Sequence, residues 1–524
     1  MRLSQVKQAE LDTLIDTHGL WAAWVGILRA YVHASDKKFS YVLRTTELRS
    51  TCEVGTDLLQ GLSIGEVSAL YEYALAYADR DKRKIGGQYF TPDDVSQFLA
   101  TQAKYFSHTA MWIDPCAGVG NLSYWLVKAK DDPEQFVLQR LYLVDRDPLA
   151  LLTARVLFTI AFQREEKDFF SSMSSRCLVR DFLSAQDLPK ADAAILNPPY
   201  VSGVTAPDHY RTAPTRNTYA FFIEKVAKLC QEGYISITPQ NFTNGQRFAT
   251  LRAVILAGHK ALDVYCFDNV PDNIFSGFKF GSLNTNTANS TRAGVIVARS
   301  SSTVRHRITP LLRWRSHERA HMLASASQFL TKVSFSEMVF PKIGKELVSL
   351  YREVQAFEKK LGDLLSQRES NYPLQVPTTP RYFISANKRP VYRTSFRILY
   401  FHSANDRDMA YILLNSSYMY WWWRVNDGGM TISEKTLLDL PIPTDIDNGR
   451  VQELVDKLER SERSSKVIKM NAGKAIENIK HSQELVLSLT QLLFPDYAQY
   501  LSKTHFNSHL QIEQPNTLRL ALNS

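Results

Sequence analysis

Between about residues 86 and 300, short apolar runs alternate with stretches whose apolar residues recur at helical spacing. Brief apolar runs bounded by turn signals read as buried strands, and their alternation with helices predicts a largely parallel sheet. The predicted strands are Met111–Ile113, Leu141–Val144, Cys177–Val179, Ala193–Leu196, Gly233–Thr238 and Gly294–Ala298. A polar stretch, Asn284–Thr291, reads as a loop before the last of them. Residues 1–84 read as a helical N-terminal region, with Val67, Leu70, Tyr71, Ala74 and Leu75 on one face. Residues 301–445 mix short strands, helices and loops such as Asn371–Pro380, which predicts a separate mixed α+β domain. Residues 446–524 read as a C-terminal helical region, with a long helical stretch over 449–494. No internal repeat is visible.

Length and composition narrow the class without choosing a function. A chain of 524 residues is too long for one core, and its 44% apolar and 22% charged content is an ordinary globular mix. No apolar run approaches the ~18 residues that a membrane span needs. The N-terminus carries acids early and lacks an apolar signal core, so neither export nor a membrane partner is expected. Five scattered cysteines form no Cys-x-x-Cys pair. They predict neither a disulfide framework nor a zinc knuckle, and fit a reducing cytoplasm. Charge is more informative by location: residues 287–400 hold 19 Lys+Arg against 7 Asp+Glu, and so carry the whole basic excess. Such a concentration suits attraction to phosphate, although a solvated basic face explains it equally well.

Candidate chemistry gathers at the predicted strand ends. The first strand runs into Asp114-Pro-Cys-Ala-Gly-Val-Gly-Asn121, where Ala117 and Gly118 lie in a turn that lets backbone approach a ligand. The second runs into Asp145, placed for ribose hydroxyls, and the third into Asp181 and Phe182, an acid and a ring suited to adenine. One acid after each of three strands suits an adenosine-bearing cofactor, and a missing third glycine counts against a dinucleotide. Asp114 favours a ligand with an amino group near the turn, as in S-adenosylmethionine. The alternative is that these acids cap ordinary turns.

The fourth strand stops at Asn197-Pro-Pro-Tyr200. Pro198 and Pro199 end the ladder and fix the backbone, giving a rigid corner with one amide oxygen and one carbonyl oxygen facing the same way. Two such acceptors can hold both hydrogens of a planar amine and free its lone pair to attack a sulfonium methyl. Tyr200 can stack on the base that bears the amine.

Together these residues resemble the gamma arrangement of the DNA methyltransferases that modify adenine N6, and the whole chain resembles the TaqI-like/Eco57I-like branch. Gly87-Gln-Tyr-Phe-Thr-Pro92 matches that family's first motif. The resemblance implies a Rossmann-like α/β core over 85–300 and S-adenosylmethionine as cofactor. It implies that Tyr89 and Thr91 close over the methionine part, that Asp114, Ala117 and Gly118 meet the methionine end, that Asp145 meets the ribose, and that Asp181 with Phe182 meets the adenine. Thr91 and Pro92 also fit a helix start. Asn197, Pro198, Pro199 and Tyr200 would be catalytic. Phe275 would be the second aromatic stacking on the flipped target base, with Phe278 and Phe280 as rivals. Region 301–445 would be the target-recognition domain on double-stranded DNA, with Arg313, Arg315, Lys388, Arg389, Arg393 and Arg397 as contacts. At least two of Trp421, Trp422 and Trp423 are expected in the core.

Several other signals are set aside. Cys116 sits on the glycine turn rather than at the fourth strand's tip, so it reads as a packing residue, not a nucleophile. Neither a metal site nor a nuclease site is predicted. A glutamine or RNA-guanine methyltransferase would share Asn-Pro-Pro-Tyr, but lacks reason for the front-placed motif and the basic segment. A nucleic-acid binder with a decayed core would not keep Asp114, Asp145, Asp181 and Asn197. A modification subunit needing a separate specificity subunit stays open, as does a cognate restriction endonuclease.

Overall fold

The computed structural model describes residues 5–55, 57–78, 91–164, 168–206, 209–275, 291–380, 382–426, 431–444, 446–471 and 474–505. The chain divides into two compact units, Met1–Gln240 with Arg247–His306, and Asn241–Gln246 with Arg307–Ser524.

The first unit begins with helices α1 (Gln5–His18), α2 (Leu20–Ala34) and α3 (Ile64–Ala78), followed by α4 (Asp93–Thr101). Its sheet contains β1 (Trp112–Asp114), β2 (Leu141–Asp145), β3 (Cys177–Val179), β4 (Ala193–Leu196), β5 (Gly233–Pro239), β6 (Ala261–Phe267) and β7 (Ala293–Arg299). These run in the order β3-β2-β1-β4-β5-β7-β6. Strands β1 to β5 are parallel, while β7 lies antiparallel between β5 and β6. All six expected strands are present. The unexpected one, β6, has Asp263 in mid-run, and burial of that acid is met by an ion pair with Arg299 on β7.

Strand order reverses at β1, which pairs with β2 on one side and β4 on the other. In open parallel sheets the crevice beyond the carboxyl ends at such a reversal is where ligands bind. Asp114 ends β1 and Asn197 follows β4, so both expected chemical groups face that crevice.

Helices α5 (Asn121–Lys128), α6 (Pro133–Arg140) and α7 (Pro148–Phe162) connect the strands. Nearly every residue of α7 is buried, because the N-terminal helices cover the side that would otherwise meet water. Trp24 of α2 is fully buried and its Nε1 donates to Thr153 Oγ1 of α7 at 2.9 Å. Tyr71 of α3 stacks edge-on against Trp24 and its hydroxyl donates to Asp147, the residue capping α7, at 2.7 Å. The helices α2 and α3 of the region expected over 1–84 are therefore packed into the same unit as the sheet.

The second unit pairs β8 (Arg305–Leu312) with β9 (Thr331–Lys332), β10 (Pro373–Pro377) with β11 (Phe396–Tyr400), and β12 (Lys466–Asn471) with β13 (Lys474–Ile479). Helices Ala404–Asn415, Ser417–Asn426, Asn448–Ser464 and Gln483–Leu493 build its core. Trp421, Trp422 and Trp423 are all buried there, in accord with the expectation. The expected long helix over 449–494 is corrected: it stops at Ser464, gives way to the β12–β13 ribbon, and resumes at Gln483. Val467, Ile468 and Ile476 are β-branched and favour the extended form. Ser482 restarts the helix by accepting from Leu485 N–H at 3.2 Å. Among the described residues no helix is long and apolar enough to cross a membrane, and no cluster of His, Cys, Asp or Glu could hold a metal ion.

Candidate active site

Two glycines shape the turn after β1. Gly118 has φ +53° and Gly120 φ +87°, both in the left-handed region. A Cβ on Gly120 would lie 2.9 Å from the Phe158 ring, whereas one on Gly118 would meet nothing within 4 Å. The first glycine thus leaves open space above the turn, and the second lets α5 pack on α7.

Asp114 is buried at the end of β1, where Ser123 Oγ donates to Oδ2 at 2.9 Å and Cys116 N–H to Oδ1 at 3.3 Å. Burial outweighs these bonds and pushes its pKa up to about 7, with the Asp145 charge adding to the rise. Asp145 is also raised by burial, although Gly118 N–H donates to Oδ2 at 2.8 Å and Asp147 N–H to Oδ1 at 3.0 Å. These bonds hold the Asp145 carboxylate directly over the glycine turn. Arg180 N–H donates to the Asp145 carbonyl at 2.9 Å, which sets the end of β3 beside that of β2.

At the end of β3, Asp181 is exposed and accepts from Leu183 N–H at 3.0 Å. Phe182 is buried, stacked on Phe222 with centroids 5.3 Å apart, and Lys225 Nζ lies 5.2 Å from its ring. One face of Phe182 is thus already taken by protein. Ala117, also buried, donates its N–H to the Val144 carbonyl at 3.0 Å.

Asn197 is half-buried after β4, and its side chain is held from both ends. Nδ2 donates to Thr91 Oγ1 at 2.8 Å, and Oδ1 accepts from the Tyr200 hydroxyl at 2.7 Å. That hydroxyl also lies 3.1 Å from the Ile237 carbonyl. Pro198 is buried and Pro199 half-buried. Phe275 is buried with its ring centroid 6.1 Å from that of Tyr200 and tilted by 64°. The two rings expected to flank a base therefore meet edge to face, without the parallel gap that a base would fill.

Thr91 joins the two halves. Its hydroxyl holds Asn197 and its carbonyl accepts from Asn121 Nδ2 at 2.6 Å, linking the Asn-Pro-Pro-Tyr corner to the first residue of α5. Sequence reasoning gave no role to Asn121, which closes the turn motif after the first strand, and missed Ser123, which lies outside it. Spacing does hint at Ser123, since the first turn of α5 must return past the end of β1. Cys116 is half-buried, and its thiol is pushed well above the ordinary range by desolvation and by the Asp114 and Asp145 charges, so it stays protonated. Tyr89, Phe278 and Phe280 lie outside the described residues.

The six basic residues expected on DNA have different fates in the second unit. Arg315 and Arg389 are exposed. Arg313 is corrected to a core residue: it is 2% exposed, bonded to the Tyr420 hydroxyl, with its guanidinium 5.4 Å from the Tyr420 ring centroid. Lys388 is likewise committed internally, paired with Asp408 at 2.6 Å and Glu459 at 2.7 Å. Arg397 pairs with Glu434 at 2.9 Å, and Arg393 donates to Asn478 Oδ1 at 2.9 Å.

With this geometry in view, residues 63–282 match the sequence model of the family described as N-6 DNA Methylase. The chain is 26% identical over 223 residues to the type II methyltransferase M.PstI of Providencia stuartii, covering 39% of this chain and 43% of that protein. It is 26% identical over 201 residues to the type II methyltransferase M.BsuBI of Bacillus subtilis, covering 35% of this chain and 39% of that protein. The matches therefore span less than half of either curated relative, 43% and 39% of their lengths. Among solved structures, the type IIG restriction endonuclease BpuSI aligns with a TM-score of 0.43 and 12% identity, over 96% of this chain and 79% of that one. The resemblance of residues 63–282 to N6-adenine DNA methyltransferases is thus shown. Their sheet is the Rossmann-like α/β core that the resemblance implied.

Proposed function

We propose that this chain methylates adenine N6 in double-stranded DNA, with S-adenosylmethionine as cofactor, as the modification enzyme of a restriction-modification or phage-defence system. The observation that carries the reading is the placement of Asp114 and Asn197 at the carboxyl ends of the adjacent parallel strands β1 and β4, at the strand-order reversal. The open space over Gly118, with Asp145 beside it, fits an adenosine-bearing cofactor. Asp114 and Ala117 would meet its methionine end, Asp145 its ribose, and Asp181 with the turn around Phe182 its adenine. When bound, the cofactor supplies an electrophilic methyl on a sulfonium.

The chain's own residues then have one task, to present the amine. A base inside a duplex cannot reach the crevice, so it must leave the stack at a cost of a few kcal/mol. Tyr200 offers a stacking face, and Asn197 Oδ1 with a corner carbonyl accepts the two amine hydrogens. In the free protein the Tyr200 hydroxyl occupies that oxygen, and the Ile237 carbonyl within 3.1 Å gives the hydroxyl a second partner once the amine arrives. Thr91 keeps the amide from turning away. No general base is needed, because the methylated nitrogen is acidic and releases its proton afterwards.

The TaqI-like/Eco57I-like branch, a self-sufficient recognition region and a cognate restriction endonuclease are parts of this proposal. Methylation-sensitive long-read sequencing of DNA from cells expressing the chain tests it. One recurring motif with N6-methyladenine is the expected result. Unmodified DNA from cells holding folded protein would overturn the reading.

A further inference from the structure

Within the second unit, the large apolar side chains that remain exposed are concentrated on two ribbons. Half of the fourteen exposed large hydrophobic residues described fall in residues 382–398 and 467–470. Phe396 and Ile398 stand on one face of β11, at 44% and 45% exposure, since alternate strand residues share a face. Ile468 and Met470 share a face of β12, at 63% and 70% exposure. Between the ribbons, Tyr392 is 61% exposed and its backbone exchanges hydrogen bonds with Glu477 of β13. Arg393 donates to Asn478 Oδ1 on β13, tying the second ribbon to the first. A hollow of about 290 Å³, lined by Tyr382, Arg393, Met470 and Ile476 among others, lies between them.

A two-stranded ribbon alone is marginally stable, and β12 has Lys466, Val467, Ile468 and Met470 all exposed. This pattern is that of a surface covered when the protein works. Charge indicates by what. Residues 466–480 hold Lys466, Lys469, Lys474 and Lys480 against Glu477 alone, which pairs with Lys466 at 2.8 Å, and exposed Arg389 lies three residues before Tyr392. An apolar partner protein would gain nothing from that excess, whereas a polyanion would. The major groove of a duplex, about 12 Å wide, admits a two-stranded β-ribbon, and thymine methyls there accept apolar contacts.

We infer that the β12–β13 ribbon enters the major groove of the DNA, with Ile468 and Met470 against base edges and Lys480 and Arg389 on flanking phosphates. This rests on the reading that the substrate is duplex DNA, and extends recognition past residue 445, where the sequence places its end.

The test uses the full chain. A 30-base-pair duplex carrying the motif that the wild type methylates, and a scrambled duplex, are titrated by fluorescence anisotropy. If the wild type methylates nothing, sheared plasmid DNA replaces the motif duplex. Ile468→Ser with Met470→Ser should weaken binding of the motif duplex at least tenfold and leave that of the scrambled duplex within about twofold. On plasmid DNA, Arg389→Gln with Lys480→Gln should reduce the salt slope by about two. Unchanged thermal unfolding and S-adenosylhomocysteine binding would show that the variants are folded. Wild-type binding and salt slope in both folded variants would overturn the inference, as would loss of a protein partner without loss of DNA affinity. Absence of methylation by the wild type would instead count against the proposed function, and the plasmid slope would still decide the ribbon.

Discussion

Asp114→Asn should remove most of the pH dependence of cofactor binding at the proposed site. The wild-type carboxyl is buried and titrates near 7, against an ordinary aspartate value of 3.8. If it receives the cofactor's ammonium, only the ionised form binds well, and the cation drives the proton off. With a free-state value near 7, about a tenth of the protein is ionised at pH 6 and about nine tenths at pH 8. Affinity should therefore tighten by about tenfold between about pH 6 and about pH 8, and level off above. Asparagine removes the ionisation, so the variant should bind more weakly at about pH 8 and lose most of the slope. Asp145 is also raised, so a small residual slope belongs to it. Calorimetry with S-adenosylhomocysteine across that range measures the effect. 5′-Methylthioadenosine, which lacks the amino-acid part, should show little pH dependence from Asp114. A wild-type affinity constant to within twofold, or a full slope retained by the asparagine variant, would refute the assignment.

Stability should move in the opposite sense. A carboxyl raised in the folded state opposes folding as pH rises from about 4 through about 7, so Asp114→Asn should raise the melting temperature more at about pH 8 than at about pH 5; equal shifts at both would contradict the burial argument. Asn197→Ala leaves both prolines and Tyr200 in place, and single-turnover methyl transfer should fall by ~10²-fold or more while cofactor binding persists. Near-normal transfer would remove Asn197 from the chemistry. Gly120→Ala places a methyl 2.9 Å from the Phe158 ring at φ +87° and should cost ~1–3 kcal/mol in denaturant unfolding. Gly118→Ala has open space and should unfold closer to wild type while binding cofactor less well; a reversed order would exclude the geometry given for the turn. Neutralising Arg315 and Arg389 should flatten the salt dependence of DNA binding by about two. Arg313→Gln, by contrast, should lower stability, as thermal unfolding would report.

Much of the α/β core is legible because its signals are local. Each of β1 to β4 is a short apolar run ended or followed within two residues by its own Asp or Asn, so periodicity and turn chemistry agree there. Asp147-Pro148 likewise announces the start of α7, with Leu149 and Ala150 N–H donating to the aspartate. What escapes is set at long range. β6 reads poorly because Asp263 interrupts it, and only the distant Arg299 makes that acid tolerable in a strand. Arg313 and Lys388 look like phosphate contacts until Tyr420, Asp408 and Glu459 are brought to them by folding. The apparent independence of residues 1–84 fails for the same reason, since nothing near Trp24 in sequence points to Thr153.

The N-terminal helices also determine where this chain can be cut. A fragment starting at residue 85 would keep every motif but strip the cover from α7, exposing a helix buried nearly all round. It would also remove the Tyr71 hydroxyl from Asp147, two positions beyond the carboxylate assigned to the ribose. A minimal folded fragment must therefore start upstream of α2. Conversely, any binding event that displaces α2 or α3 would be transmitted, through one capped helix, to the carboxylate proposed to hold the cofactor.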